Sequence, residues 1–460
     1  MPKIKKILER TQTSQHVMKS KKKEKVSSDK KVVSSVVGKF YNAKLLKGMK
    51  DILPQDQMYW KWLTEVIEEL AEYHGIDRMD PPVLEEANLF EKGTGKNTDI
   101  VEKEMYAFTD KSGGKIALRP EFTPSFARSY LEHGMFTLTQ PVKLYSIGPL
   151  FRRENPQAGR LRQHHQWNVE CIGSEDPVID AQLILLSYSF YTDLGLDVEV
   201  HINSIGHPEC RLEYKKQLIG FYRNKRSKLC VDCKRRLVKN PLRLLDCKEK
   251  DCQEIRNQAP QIVDWLCAPC KEHFMKLIEY LDSLEIPYHL NPFLVRGMDY
   301  YTRTVFEWYS VGEKENPSAL GGGGRYDELL ALYGGRPIPA AGFGLGLERV
   351  ISELKEQGKI PSEKRKPLVY ISQLGEQSRR KGLALFEAFR KEGILVAEHF
   401  AKSSLKAQLE LANKLGVRYV LILGQKEVLE GTVLIRDMDG GIQESVPLSK
   451  VVSEIKKKLK

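Results

Sequence analysis

From Asp77 to Ala181, short apolar runs alternate with turn residues, as in KIALRPEFTPS, VKLYSIGPLFRRE and HHQWNVECIGS. Alternation at period two sends successive side chains to opposite faces, so each run predicts a half-buried antiparallel strand. No βαβ rhythm and no Walker-type glycine loop occur here, which excludes a doubly wound nucleotide-binding domain. Ahead of these strands, Tyr59, Trp62, Leu63, Val66, Ile67 and Leu70 share one face of a helix expected over Gln55–Tyr73, with Gly75 as its stop. Strand signals resume through LVRGMDYYTRTVFEWYS, and GGGGRYDEL follows as a glycine-rich turn. AAGFGLGLERVISEL then reads as a small-residue strand running into a helix.

Beyond the polar segment EQGKIPSEKRK the rhythm changes. PLVYISQ, ILVAEHF and YVLILG read as strands, separated by helices over Glu376–Arg390 and Leu405–Leu415 and followed by a hairpin and a closing helix. Residues 367–460 are thus expected to form a separate α/β domain. Residues from about 208 to 285 are charged, helical and cysteine-bearing, and read as an insertion into the larger domain over 44–355.

A chain of 460 residues exceeds what one core usually serves. No apolar run approaches the roughly 20 residues a membrane span needs, and the N-terminus lacks a secretory apolar region. A cytoplasmic location is expected, where thiols stay reduced. The net charge of +12 is concentrated in residues 1–31, which hold eleven basic and three acidic residues. The stretch 1–43 reads as a disordered basic tail. It could hold RNA phosphates without sequence selectivity, or simply be solvated.

Four clusters carry chemistry. In LYSIGPLFRRENPQAGRLRQHHQWNVE, Arg152, Arg153, Arg160 and Arg162 crowd a strand–loop–strand, and guanidinium forks match phosphate oxygens. On its second strand Gln166 and Glu170 fall at even spacing and share a face. In ALRPEFTPS, Glu121 and Thr123 are expected on one strand face, a carboxylate beside a hydroxyl, as an amino-group ligand requires. In LVRGMDYYTRTVFE, Arg296, Asp299, Tyr300, Tyr301 and Arg303 are too polar for a core strand unless they serve a site. In GFGLGLERV the glycines permit close approach of a ligand, and Arg349 enters at a helix start beside Glu348.

Together these stretches resemble the catalytic domain of class II aminoacyl-tRNA synthetases, and within them the histidine-specific family. KGMKDILP and DPPVLEE are similar to that family's opening and its first motif, with Pro82 implied at a homodimer interface. FRRE with GRLRQHHQ resembles the second motif and GFGLGLERV the third, while LVRGMDYYTRT and GGGGRYDEL resemble the two histidine-specific stretches. The resemblance implies an α+β fold: an antiparallel catalytic sheet flanked by helices, with a helical insertion and a C-terminal α/β anticodon-binding domain. It implies ATP, Mg²⁺, histidine and tRNA(His) as ligands.

Roles follow from the resemblance residue by residue. Arg152 and Arg296 would be catalytic, Arg152 on the α-phosphate and the histidine carboxylate. Glu154 would meet the adenine amino group, and Arg160 and Arg349 the terminal phosphates. Glu121, Thr123 and Gln166 would take the α-amino group, and Glu170 and Tyr301 the imidazole, with Phe122 and Tyr300 completing that pocket. Gln157 and Arg162 would meet the acceptor end of the tRNA. His164 stands where the family has a phenylalanine under adenine, and a neutral imidazole can also stack there.

The insertion holds Cys230 and Cys233, Cys247 and Cys252, and Cys267 and Cys270. Four of the six suit one structural Zn²⁺; the alternative is six reduced thiols. Cys171 and Cys210 read as isolated. Two rivals to the synthetase are a non-catalytic regulatory relative, which should lack the arginines or the C-terminal domain, and a class II enzyme of another specificity.

Overall fold

The computed structural model describes residues 43–154, 160–312, 319–361, 366–401 and 404–459; the expected tail over 1–42 and Gln157 lie outside them. The chain divides into two compact units, Met1–Leu46 and Lys47–Lys460, and the second carries all the described sheets.

The helix Gln57–Tyr73 buries Leu63, Ile67 and Leu70, which recur every three or four residues. It ends at Gly75, whose φ is +61°, with the Ile76 N–H reaching the Ala71 carbonyl at 2.9 Å. Glycine takes that left-handed position without a Cβ penalty.

The buried face of this helix joins the core of an eight-stranded sheet. Across the sheet the strands run Asp77–Arg78, Val142–Phe151, Gln163–Ile172, Ala340–Gly346, Gly321–Arg325, Thr302–Ser310, Val198–Ser204 and Tyr288–Leu290. The six central strands are antiparallel, as expected. The two outermost add parallel pairs, which go unread because strands of two or three residues show no period.

Alternation divides the sheet's two faces. Trp167, Val169 and Cys171 enter a core shared with the helices Pro177–Asp193 and Ala268–Ser283. Pro177 opens the first of these, and the Asp176 carboxylate caps it by accepting from the Val178 N–H at 2.9 Å. The opposite face meets a second core, built by the helix Thr123–Glu132, by Tyr300 and Tyr301, and by Tyr214, Leu218 and Leu237 of the helical stretch after Pro208. That stretch therefore packs onto the large sheet from both ends: its last helix puts Phe274, Leu277 and Leu281 into the first core.

Two expectations are corrected. Glu121 and Thr123 do not share a strand: the strand Lys115–Leu118 ends before Pro120, and Thr123 begins a helix. Pro120 has no N–H for a ladder, and Pro124 suits a first helical turn. Nor is Leu294–Tyr301 a strand; strand structure starts at Thr302, and Arg303 holds a positive φ of 49°.

The C-terminal region follows its α/β rhythm. Its sheet runs Val396–Glu398, Val369–Gln373, Tyr419–Leu423, Thr432–Asp437 and Gln443–Pro447, the first three strands parallel and the last two antiparallel. Helices Glu376–Lys391, Leu405–Leu415 and Val451–Lys458 accompany it, with a short helix at Gln425–Glu430 that the pattern does not signal. Its core is its own, from Val369 and Phe389 to Val451 and Ile455.

Candidate active site

The face of the large sheet opposite Trp167, Val169 and Cys171 is cleared by glycines over part of its area. Gly342, Gly344 and Gly346 stand opposite Glu170, Asn168 and Gln166 in the antiparallel register. A Cβ at Gly344 would lie 2.8 Å from Gln166 Oε1, and one at Gly342 would fall on the Glu170 carboxylate. A Cβ at Gly322 would lie 2.7 Å from Arg296 Nη1. The glycines thus leave a trough into which longer side chains lean from neighbouring strands. Over it opens a cavity of about 960 Å³, of the size that small-molecule sites take.

Two carboxylates, Glu121 in the cavity wall and Glu170 behind it, are deeply buried. Glu121 is 3% exposed and accepts from Tyr300 Oη–H at 2.6 Å and from the Thr94 hydroxyl. Glu170 is fully buried; it accepts from Thr123 Oγ1–H at 2.5 Å, from Asn168 Nδ2–H at 2.8 Å and from the Tyr326 hydroxyl. Burial pushes the Glu170 carboxyl up to about 7 against these donors, and burial also raises that of Glu121.

The lining also carries Arg152, Arg160, Arg296 and Arg349. Arg152 is aimed by its Nε–H donating to the Pro120 carbonyl at 2.8 Å. Arg296 pairs with Glu307, which also accepts from Tyr309 Oη–H at 2.6 Å, and its guanidinium lies 5.6 Å from the Tyr301 ring centre. Its buried Nε has no hydrogen-bond partner among the described residues. Arg160 and Glu154 pair with each other at 3.1 Å. Burial, with Arg152 and Arg349 nearby, pushes the His164 imidazole down to about 3, so it is neutral. The adjacent His165 turns away, its Nδ1 2.8 Å from Glu348 Oε1 and its ring edge-on to Trp60.

Of the residues singled out in sequence, Glu121, Thr123, Arg152, Glu154, Arg160, His164, Gln166, Arg296, Tyr300, Tyr301 and Arg349 meet around this cavity. Glu170 stands one layer behind, through Thr123 and Asn168. The Phe122 ring is buried in the core under the Arg119 guanidinium, and Arg162 lies outside the lining, its Nε–H donating to the Glu154 carbonyl at 3.3 Å. Asn168, Tyr326, Thr94 and Glu307 were not anticipated. Asn168 was findable, because it shares the even spacing of Gln166 and Glu170.

The cysteines do not gather at one centre. Cys230, Cys233, Cys247 and Cys252 form one cluster, and Cys267 and Cys270 join His207 and Cys210 in another. Cys210 is therefore not isolated, whereas Cys171 stays a single buried residue of the sheet.

A family model described as Histidyl-tRNA synthetase matches residues 48–210 and 242–350, and one described as Anticodon binding domain matches 368–458. A histidine–tRNA ligase of Dehalococcoides mccartyi is 46% identical over 414 residues, 90% of this chain and 99% of the relative. One of Desulforudis audaxviator is 44% identical over 89% of this chain and 98% of its own length. The crystal structure of apo histidyl-tRNA synthetase from S. aureus superposes with a TM-score of 0.74 at 32% identity, covering 90% of this chain and 99% of that one. With matches of this breadth over a site already assembled by its own geometry, the chain belongs to the histidyl-tRNA synthetase family.

Proposed function

We propose that this chain is a histidine–tRNA ligase that activates histidine with ATP and transfers it to the 3′ end of tRNA(His). The observation that carries the reading is one cavity lined by the buried Glu121 carboxylate and by Arg152, Arg160, Arg296 and Arg349, with the Glu170 carboxylate behind its wall through Thr123. Such a site suits a small amino acid lying beside a polyphosphate.

In this reading Glu121, Thr123 and Gln166 take the α-ammonium group of histidine. Glu170 and Tyr301 meet the two imidazole nitrogens, so a side chain lacking either would leave a buried polar group unpaired. Arg160 and Arg349 would hold the β- and γ-phosphates of ATP, and Mg²⁺ bound with the nucleotide would supply further neutralisation of phosphate charge there. Glu154 meets the adenine, and the neutral His164 ring stacks beneath it. The carboxylate oxygen of histidine attacks the α-phosphorus, the bond to the β-phosphate oxygen breaks, and pyrophosphate leaves. Arg152 and Arg296 neutralise the charge that builds on the α-phosphate. The terminal ribose hydroxyl of the tRNA then attacks the adenylate carbonyl, AMP leaves, and no side-chain nucleophile is needed. By the resemblance of the second motif, Gln157 and Arg162 are assigned to reading the acceptor end, and the C-terminal domain takes the anticodon.

A homodimer belongs to the same reading. Pro82, Val83 and Leu84 are exposed beside an edge strand, Leu84–Glu86, of a three-stranded sheet, the kind of apolar edge that a second copy would cover. The reaction is assigned to the cytoplasm; among the described residues no helix is long and apolar enough to cross a membrane. Zinc in this reading is structural, because four protein ligands leave no open position for substrate. Incorporation of radiolabelled histidine into acid-precipitable tRNA(His) tests the function. It should require ATP and the intact chain; incorporation of another amino acid, or none, would refute it.

A further inference from the structure

Three pairs of metal-ligating residues, each spaced i, i+3, begin three helices. His207 and Cys210 flank the start of Pro208–Arg223, Cys230 and Cys233 that of Val231–Lys239, and Cys267 and Cys270 that of Ala268–Ser283. In each pair the first residue stands at the N-cap position and the second lies in the first turn, so the two are neighbours at one helix end. The fold brings the first pair to the third, and the second pair to Cys247 and Cys252.

We propose that these residues form two structural zinc sites, a four-cysteine site at Cys230, Cys233, Cys247 and Cys252 and a mixed site of one histidine and three cysteines at His207, Cys210, Cys267 and Cys270. In each set the ligand atoms all lie within 4.8 Å of one another. Zinc bonds of about 2.3 Å to sulfur and 2.0–2.1 Å to nitrogen put tetrahedral ligands roughly 3.8 Å apart for S···S and 3.5 Å for N···S. Cys230 and Cys247 sulfurs are 3.9 Å apart, as are those of Cys210 and Cys270. His207 Nδ1 stands 2.9, 3.5 and 4.0 Å from the sulfurs of Cys210, Cys270 and Cys267. The S···S separations match ligands around one ion and are far too long for disulfides, while His207 Nδ1 and Cys210 Sγ would have to part by about 0.6 Å to seat it.

The outer partners of metal ligands are also present. The other ring nitrogen of His207 lies 3.2 Å from Glu209 Oε2, the carboxylate–histidine arrangement that orients a ligating imidazole. Backbone N–H groups donate to sulfur from Cys233 to Cys230 at 3.3 Å, from Cys230 to Cys252 at 3.4 Å and from Cys267 to Cys210 at 3.3 Å. Cys233, Cys247, Cys252, Cys210 and Cys270 are buried, as a closed structural site requires. Cys230 and Cys233 fall in 211–241, which the family model leaves unmatched, so the four-cysteine site is not part of what defines the family.

Each site braces a wall of the cleft. Cys230 and Cys247 line the cavity, and Asp246 beside Cys247 pairs with Arg243 at 2.7 Å and Arg236 at 3.4 Å. Arg243 in turn donates to the Gly297 carbonyl at 3.2 Å, next to Arg296. The mixed histidine–cysteine site roots the helix from which Arg211 donates to the Tyr301 carbonyl at 2.9 Å. The two metals would tie the insertion to the catalytic sheet at separate points.

Elemental analysis of the purified full-length chain tests this without reference to activity. Two zinc ions per chain are expected, and one each in Cys252→Ser and Cys270→Ser. One zinc or none in the unsubstituted chain, or unchanged content in both variants, would overturn the proposal. Because a variant can misfold, cobalt titration of the chelator-stripped unsubstituted chain provides a second reading. Sulfur-to-cobalt charge-transfer absorption should saturate at two equivalents; saturation at one, or no such absorption, would also overturn it.

Discussion

Gly342 stands directly opposite Glu170 across the antiparallel pair of Ala340–Gly346 and Gln163–Ile172, where a Cβ would overlap the Glu170 carboxylate. Three donors already hold that carboxylate, so it cannot swing aside freely. A Cβ at Gly342 would also lie 2.5 Å from the Val169 carbonyl, which is backbone. The glycine is therefore required by the acid it faces.

Gly342→Ala should lower stability by about 1–3 kcal/mol, the usual cost of overpacking. It should also raise the KM for histidine by roughly 10- to 100-fold, on the scale of a disturbed buried hydrogen bond. Denaturant unfolding and steady-state charging measure the two effects. Unchanged KM in a folded variant would separate Glu170 from the histidine pocket.

Glu170 should make stability depend on pH in a particular direction. Its folded-state carboxyl, raised to about 7 by burial, binds a proton more tightly than the unfolded chain's does. Its contribution is therefore fully present below about 4.5 and lost as pH rises through about 7. Glu170→Gln removes that titration. The melting temperature of the variant minus that of the unsubstituted chain should increase between pH 5 and pH 8, and a constant difference would contradict the assignment.

His164, held down to about 3, stays neutral throughout the working pH range, so it stacks as an uncharged ring. His164→Phe should lower the KM for ATP a few-fold, and His164→Ala should raise it, with histidine KM little changed. A rise in ATP KM on substitution by phenylalanine would remove His164 from the adenine site.

Arg296→His should reduce histidine-dependent ATP–pyrophosphate exchange by at least about 100-fold, the scale of losing one preorganised charge in the transition state. Histidine binding, followed by calorimetry, should remain measurable. Retained exchange would deny Arg296 its catalytic role.

The sequence was legible where a period ran long enough to read. The hairpin Val142–Phe151 and Gln163–Ile172 and the C-terminal strands and helices lie where alternation and helical spacing put them. Glu121 and Thr123 reached the same cavity by a different local structure, because two prolines ended a strand and began a helix within five residues. The Leu294–Tyr301 segment brings Arg296, Tyr300 and Tyr301 to the cavity from a loop, because its polar and apolar residues do not alternate at the period of two that a strand face needs. Tyr326 and Thr94 were hidden because their partners are distant in sequence. His207 and Cys210 went unpaired for the same reason, although H-x-x-C repeats the spacing of the C-x-x-C pairs.

The central claim is that this cavity activates histidine and no other amino acid. ATP–pyrophosphate exchange, run with the purified chain against each of the twenty amino acids in turn, tests it most directly. Histidine alone should support exchange. Exchange with a different amino acid, or none with histidine, would contradict the account.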